Sequence, residues 1–196
     1  MALNDTSVLV VGSGNYFIAD VGTALPEDLS APGVDWTNIG HTSLENLLSI
    51  ESEGGEPTVV GTLQNKSLRT TYSPRQETLK VTIQQFDTES LRLYYGSNAV
   101  LNVDGTIGVP TEPTPTSKAF LAVYVDGDNL FAFYAPKSEI FRADDLEIGD
   151  TESLAGLPLG VKPLVHSTNT WAYAVTPLDP ARSSPGSEPH GAAIGG

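Results

Sequence analysis

The chain has 196 residues, the length of one domain with a sizeable buried core. Its 24 acidic and 10 basic residues give a net charge of −14, which excludes an ordinary nucleic-acid-binding surface, because such a surface needs basic residues to displace phosphate counterions. There are no cysteines, so disulfides, thiolate zinc sites and cysteine nucleophiles are excluded. No apolar run is long enough to cross a membrane, and we expect no membrane partner.

The first 50 residues are punctuated by turns. The chain contains 19 glycines and 14 prolines, which is typical of a mainly β fold with many loops. Residues 1–15 are predicted to form an N-terminal arm or strand around the apolar run 8–11. Residues 22–40 read as a loop in which Trp36 is an anchor, buried against the body or against a neighbour. The next segment, 44–52, fits either a short helical turn or a strand.

Residues 51–75 combine an acidic stretch with a hairpin pattern. Glu51, Glu53 and Glu56 surround Gly54-Gly55, and we expect a solvated loop that becomes ordered on contact with a partner. Residues 58–63 and 66–71 are predicted to pair as strands, with a two-residue turn at 64–65 as one option.

Residues 78–86 show the clearest strand alternation in the chain. One face is apolar and the other polar, which predicts a half-buried strand with one wet face. The apolar residues are Leu79, Val81 and Ile83, and the polar residues are Lys80, Thr82 and Gln84.

Residues 87–96 are predicted to form a short helix. Asp87 or Thr88 is placed to accept hydrogen bonds from the first-turn amides, and Gly96 ends the helix. The spacing of Leu91, Tyr94 and Tyr95 puts these side chains on one face.

The second half of the chain contains a second hairpin and then a tail. Residues 118–125 and 130–135 flank Asp-Gly-Asp-Asn, which is a strong hairpin signal. Residues 139–142 and 169–176 are predicted as further strands, the last with Trp171, Tyr173 and Val175 on one face. Residues 177–196 are rich in Pro, Gly, Ser and Ala, and we expect a disordered C-terminal tail after a single domain spanning 1–176.

No set of residues suggests catalysis. The three histidines, His41, His166 and His190, have no metal-ligand spacing, and no nucleophile turn of the type Gly-x-Ser-x-Gly exists. We therefore predict that the chain is not an enzyme and that it needs no cofactor or metal.

Several blocks of sequence, taken in order, resemble the major tail proteins of long-tailed, siphovirus-like bacteriophages, especially those of actinobacterial phages. The resemblance covers roughly residues 12–176. The blocks are DVGTAL at 20–25, WTNIGHTS at 36–43, EGGEP at 53–57, GTLQNKSLRTTYSPR at 61–75, TIQQFD at 82–87 and LRLYYG at 91–96.

The resemblance implies a β-sandwich or partial barrel with one short flanking helix. Subunits of such proteins form hexameric rings that stack into the tail tube of the virion, and strands from all six subunits close an inner barrel through which phage DNA is ejected. Residues 40–75 would then supply the long loop or hairpin that contacts other subunits. The implied partners are the chain itself, tape-measure, tail-tip and tail-terminator proteins, and DNA passing through the lumen, with assembly in the host cytoplasm. A β-sandwich module that binds carbohydrate or a cell surface is the alternative.

The charge distribution suggests how subunits would contact each other. Residues 1–65 carry nine acidic and no basic residues, whereas 66–95 carry five basic and three acidic residues. Head-to-tail assembly needs two dissimilar, complementary surfaces, so we expect acids of one subunit to meet bases of a neighbour or, alternatively, of the same subunit. The candidate residues are Trp36, Glu51, Glu53, Gly54, Gly55, Glu56, Lys66, Arg69 and Arg75 for assembly, and Lys80, Thr82 and Gln84 for the strand in the tube wall.

Overall fold

The structure is a computed structural model that describes residues 7–146, 148, 151–167 and 169–178. It is mainly β with one short helix, as predicted. The strands are β1 Ser13–Ala19, β2 Thr37–Asn38, β3 Ser49–Glu53, β4 Pro57–Val60, β5 Arg69–Tyr72, β6 Gln76–Ile83, β7 Val100–Leu101, β8 Ile107–Gly108, β9 Thr116–Asp126, β10 Asn129–Arg142, β11 Leu157–Pro163 and β12 Ala174–Val175, and the helix is α1 Thr88–Tyr95.

Most strands belong to one antiparallel sheet in the order β2-β1-β9-β10-β11-β6-β3, with β12 also paired to β10. Strand β10 is the longest and pairs with β9 on one side. On its other side it pairs first with β12 and then with β11. A shift of register between Ala135 and Ser138 interrupts the β9–β10 ladder, and such a bulge bends the strand. The sheet is open, in agreement with the expected β-sandwich.

Strand β9 is buried on both faces and separates two apolar cores. Phe120 and Tyr124 point into the larger core, which also holds residues of β6, β11 and the helix. Leu121 and Val123 point into the smaller core, which is closed by Trp36 and other loop residues. The apolar run of β9 is explained by this position, because neither face meets water.

Strand β6 has the predicted alternation. Leu79, Val81 and Ile83 are almost completely buried in the larger core, whereas Lys80 and Thr82 on the opposite face are half-buried. The strand ends at Ile83, so Gln84 lies one residue beyond it, with its amide donating to the carbonyl of His41 over 2.7 Å.

The helix begins and ends close to the predicted residues. Asp87 is the N-cap and accepts from the amide of Ser90 at 2.8 Å, and Gly96 follows the last turn with φ of 103°. The buried face differs from the predicted one. It centres on Leu93 and Tyr94, together with Ser90, whereas Leu91 and Tyr95 are half-buried at its margin.

We expect Asp87→Ala to destabilise the protein by about 1 kcal/mol, because the first-turn amide of Ser90 loses its acceptor. That hydrogen bond lowers the pKa of Asp87. Its stabilising contribution is therefore present above the unfolded pKa of about 3.9 and is lost as the pH falls through the lower, folded value. Urea unfolding at pH 7 and at decreasing pH measures both effects.

Asp87→Asn is the matched control, since asparagine caps helices without a charge. It should cost less than the alanine variant at pH 7 and its stability relative to alanine should not change with pH. An alanine variant as stable as the wild type at pH 7 would show that the cap contributes nothing.

The second half of the chain differs from the prediction in three places. Residues 139–142 continue β10 and do not form a separate strand. Strand β11 was not predicted, since Pro158 and Gly160 interrupt the pattern of a strand. The last strand is limited to Ala174–Val175, so the prediction of a strand over 169–176 was wrong, and Trp171 is exposed.

The two ends of the described chain lie outside the sheet. Residues 7–12 form no strand, and the amide of Val10 donates to the Asp126 carboxylate at 2.9 Å. Residues 13–15 belong to β1. The disordered tail predicted for 177–196 lies, beyond residue 178, outside the described residues, and the domain boundary at 176 stays a prediction.

Candidate assembly surface

Strands β4 and β5 form a hairpin that projects from the body of the protein. The two strands pair antiparallel, with Pro57 opposite Tyr72 and Val60 opposite Arg69. From residue 51 to residue 76 every described residue is exposed except the half-buried Gly55. The hairpin therefore buries almost nothing within its own chain.

The hairpin exposes apolar side chains on both faces, which follows from its register. Pro57, Val59 and Tyr72 share one face with Thr70, because Pro57 pairs with Tyr72 and Val59 with Thr70, and the exposed Val60 lies on the other face opposite Arg69. Tyr72 is 71% exposed, although tyrosine rings are normally largely covered. Exposed apolar side chains on a projecting element are typical of a protein–protein contact.

The loop at the end of the hairpin is longer than predicted. The strands are shorter than 58–63 and 66–71, and the eight residues 61–68 connect them. A tight turn closes between Thr62 and Asn65, whose backbones exchange hydrogen bonds of 2.7 and 3.2 Å. Leu63 within this turn is 95% exposed. We call residues 61–69 the hairpin tip.

The neck of the hairpin contains the two glycines. Gly54 and Gly55 have φ of +80° and +75°, a conformation that favours glycine. A Cβ on Gly54 would lie 2.2 Å from the carbonyl oxygen of Pro74. The amide of Ser73 donates to the carbonyl of Glu56 at 3.2 Å, which closes the neck. The glycines thus fix the direction in which the hairpin leaves the sheet.

The acidic residues near the neck do not form the predicted loop. Glu51 and Glu53 belong to the edge strand β3, where they pair with Thr78 and Gln76 of β6. Only residues 54–56 connect β3 to the hairpin. The prediction of a loop over 51–56 was therefore wrong for its first half, because an exposed edge strand can be as polar as a loop.

Two of the expected assembly residues are paired within the chain. Glu51 lies 2.8 Å from the ammonium group of Lys80, and this hydrogen bond raises the pKa of Lys80. Arg75 lies 2.9 Å from Glu77 and 2.9 Å from the hydroxyl of Ser52. In each pair one partner is exposed and the other is half-buried, and ion pairs at the surface contribute little stability.

The basic residues of the hairpin tip differ from Glu51 and Arg75 in their ion pairing. Lys66 and Arg69 have no ion-pair partner among the residues that the structure describes. The same holds for Glu53 and Glu56 within those residues. These four exposed charges are available to other chains.

Trp36 is buried within its own chain. It is 7% exposed and packs edge-on against Tyr134, with ring centroids 6.2 Å apart. The hydroxyl of Tyr134 donates to the carbonyl of Thr23 at 2.6 Å, so both aromatic residues hold the loop of residues 22–40 on the sheet. Trp36 is thus an anchor against the body, and a contribution to assembly would act through this loop.

A groove of about 780 Å³ lies at the opposite end of β6 from the hairpin. Residues 43–46, 144–145, 152–154 and 156 flank it, and Thr82 and Gln84 also line it. Four of its lining residues are acidic, and we call it the acidic groove: Glu45, Asp144, Asp145 and Glu152. Arg142 pairs with Asp145 at its margin. Sequence reasoning missed this site, because the four acids are distributed over more than 100 residues and show no local pattern.

The described residues contain no group of three or more His, Cys, Asp or Glu side chains arranged to hold a metal ion. No helix in the part of the chain that the structure describes has the length and apolar character needed to cross a membrane.

The sequence of the chain is similar to those of known phage tail proteins. A family model described as "Phage tail tube protein" matches residues 1–182. The chain is 39% identical over 180 residues to the Major tail protein Gp23 of Mycobacterium phage L5, which covers 85% of this chain and 89% of that protein. It is 38% identical to the Major tail protein Gp23 of Mycobacterium phage D29, with the same coverage.

Proposed function

The chain belongs to the phage tail tube protein family and is a structural tail protein of the virion, and from this premise we propose that it polymerises as stacked hexameric rings into the tube through which DNA is ejected. The observation that carries the proposal is the projecting hairpin with its exposed apolar side chains. An isolated two-stranded hairpin is marginally stable in water, so such an element gains stability by packing against another subunit.

The sheet supports the closure of a ring. Strand β3 lies at the edge of the main sheet, where its outer backbone groups have no strand partner among the described residues. Closing strands from several subunits into one barrel removes such edges. In this arrangement β6 lies in the tube wall, with Lys80, Thr82 and Gln84 on the face that meets water.

The charge of the protein suits a conduit for DNA. With a net charge of −14, the subunit does not attract the phosphate backbone. The duplex would therefore pass through the lumen without being held. This is a non-specific contact and requires no base-reading residues.

The assembly contact is proposed to use the hairpin and the charges on it. The free charges Lys66, Arg69, Glu53 and Glu56 meet complementary groups of other subunits. Charge of this kind fixes the register of a contact more than its affinity. The remaining candidates act in support: Gly54 and Gly55 orient the hairpin, Glu51 and Arg75 hold its base, and Trp36 anchors the neighbouring loop.

The other partners are those of a tail. We propose that the subunit assembles in the host cytoplasm with tape-measure, tail-tip and tail-terminator proteins, and that it has no enzymatic activity. The structural nature of the family supports the last point.

Negative-stain electron microscopy of the purified chain over a range of concentrations tests the proposal. Rings, and hollow tubes of uniform width at high concentration, are the expected result. A chain that remains monomeric at every concentration would contradict the proposal and would favour a β-sandwich binding module instead.

A further inference from the structure

Residues 97–115 form a second, smaller excursion of the chain, between the helix and β9, which we call the short projection. Its strands β7 and β8 pair antiparallel, and a tight turn joins them, in which the amide of Gly105 donates to the carbonyl of Asn102 at 3.0 Å. Val103 lies in this turn and is completely exposed. The other exposed apolar side chains of the short projection are Val100, Leu101 and Val109. Such a concentration of exposed apolar groups is typical of a protein–protein contact.

The base of the short projection is fixed by hydrogen bonds. The side-chain oxygen of Asn98 accepts from the amide of Thr114 at 2.9 Å, and its side-chain nitrogen donates to the carbonyl of Glu112 at 2.9 Å. The amide of Ser97 donates to the carbonyl of Thr114 at 2.8 Å. An element that is ordered before it binds loses less conformational entropy on binding, so the short projection is well prepared to enter a partner.

The short projection is acidic, which limits the surfaces that it fits. It contains Asp104 and Glu112 and no basic residue. The hydroxyl and the amide of Thr106 donate to Oδ1 of Asp104 at 2.7 and 3.0 Å, and these hydrogen bonds lower the pKa of Asp104. Asp104 is therefore charged at neutral pH, and both hydrogen bonds leave its Oδ2 for a partner. A complementary surface is apolar and carries positive charge at its rim.

A cavity of about 460 Å³ lies where β6 begins and β11 ends, and we call it the β11 pocket. Leu164, Val165 and Tyr173 give it an apolar lining. Val165 is 57% exposed, so the apolar surface continues onto the rim of the pocket. The volume is large enough for an aliphatic side chain and the turn that carries it.

Two basic residues, Arg75 and Lys162, line the same pocket. Arg75 is paired with Glu77, which also lines the pocket, at 2.9 Å. The ammonium group of Lys162 donates to Oε1 of Gln76 at 2.7 Å, and Lys162 has no ion-pair partner among the described residues. The rim of the β11 pocket thus has one positive charge that no carboxylate of the described chain neutralises.

Two other cavities suit the short projection less well. The acidic groove would bring its carboxylates against Asp104 and Glu112. The cavity between β1 and the helix contains three acidic and two basic residues, and one of the two bases, Lys118, is already paired with Asp20 at 2.7 Å. Because like charges across a contact are unfavourable, the β11 pocket is the best match in charge.

We propose that the β11 pocket receives the turn of the short projection of a second copy of this chain. Val103 then packs against Leu164 and Val165, and Asp104 meets Lys162. Val103 is completely exposed in its own chain, so the pocket that it fills belongs to another copy. The contact joins two dissimilar surfaces and is therefore heterologous, so that it repeats from copy to copy. It uses no residue of the hairpin between 57 and 72, and it rests on the proposed self-assembly.

Reversal of charge on each side tests the contact. Asp104→Lys alone or Lys162→Glu alone places like charges together, and either should raise the concentration needed for tube growth by about tenfold or more. In an equimolar mixture of the two variants, every short projection finds a pocket of opposite charge on the other variant. The mixture should therefore assemble near the wild-type concentration, as measured by light scattering and negative-stain microscopy.

Replacement of the apolar side chain is a second, independent test. Val103→Ser should also raise the concentration needed for tube growth by about tenfold, because the contact loses its central apolar group. Val34→Ser is the matched control, since Val34 is equally exposed and lies outside the short projection. It should assemble at the wild-type concentration.

The outcomes separate the two proposals. If wild-type tubes do not form, the proposed function fails and this inference fails with it. If wild-type tubes form, only the inference is overturned by single variants that assemble normally, or by a mixture that does not recover although both variants are folded by circular dichroism. Equal effects of Val103→Ser and Val34→Ser would also overturn it.

Discussion

Replacing residues 57–72 by a two-residue Asn-Gly turn is expected to abolish tube formation while leaving the body of the protein folded. The hairpin buries almost no surface within its own chain, so its removal exposes no core. Glu56 and Ser73 are already hydrogen-bonded across the neck, and a short turn can connect them. Negative-stain microscopy should show no stacked tubes at concentrations where the wild type forms them.

The stability of this deletion variant is its control. Its midpoint of thermal unfolding should stay within about 4 °C of the wild type, which corresponds to roughly 1 kcal/mol for a chain of this size. Tubes of normal width from the deletion variant would show that the hairpin has no part in assembly. A large loss of stability would show that the hairpin contributes to the folded subunit itself.

Phe120→Ala is expected to produce the largest loss of stability from a single substitution. Phe120 is 1% exposed in β9, at the centre of the sheet and of the larger core. Its ring lies beside Tyr16, with centroids 6.4 Å apart, and alanine would leave a cavity in the larger core next to Tyr16. The free energy of unfolding should fall by about 3–5 kcal/mol, measured by urea unfolding.

Phe86→Ala is the matched control for this substitution. Phe86 is 42% exposed and lies between β6 and the helix cap, so the same change removes little buried surface. We expect a loss below about 1 kcal/mol. Equal losses for the two variants would show that β9 does not hold the core together as its burial indicates.

The sequence predicted the elements in which local pattern and tertiary position agree. Strand β6 alternates because one face meets the core and the other meets water, and the helix carries its own cap in Asp87. The turn at Gly127 defines the β9–β10 hairpin for the same reason. In each case the sequence pattern that predicts the element lies within about ten residues.

Elements that depend on distant partners were missed or misplaced. Strand β11 contains Pro158 and Gly160, and it is a strand because β6 and β10 lie on either side of it. The helix buries Leu93 because of where the core lies, which the spacing alone does not show. Glu51 and Glu53 were read as loop residues, since an exposed edge strand tolerates a sequence as polar as a loop.

The candidate assembly surface shows the same difference between local and distant residues. The hairpin and its bases are contiguous in sequence, so residues 61–75 could be predicted as part of a candidate contact element, and the structure shows that they are exposed. Glu45 and Asp144 are brought together only by the fold. A groove of this kind has no signature that a single sequence can show.

The position of the hairpin neck has a mechanical consequence. A pull on the hairpin passes directly into the backbones of β3 and β6, which are extended and run to the groove end as covalent chains. Extended backbone cannot lengthen further, and the closed neck, where Gly54 packs against the carbonyl of Pro74, keeps the direction of the hairpin fixed. A subunit that is pulled by its hairpin would therefore transmit the load through these two strands to its other end without lengthening.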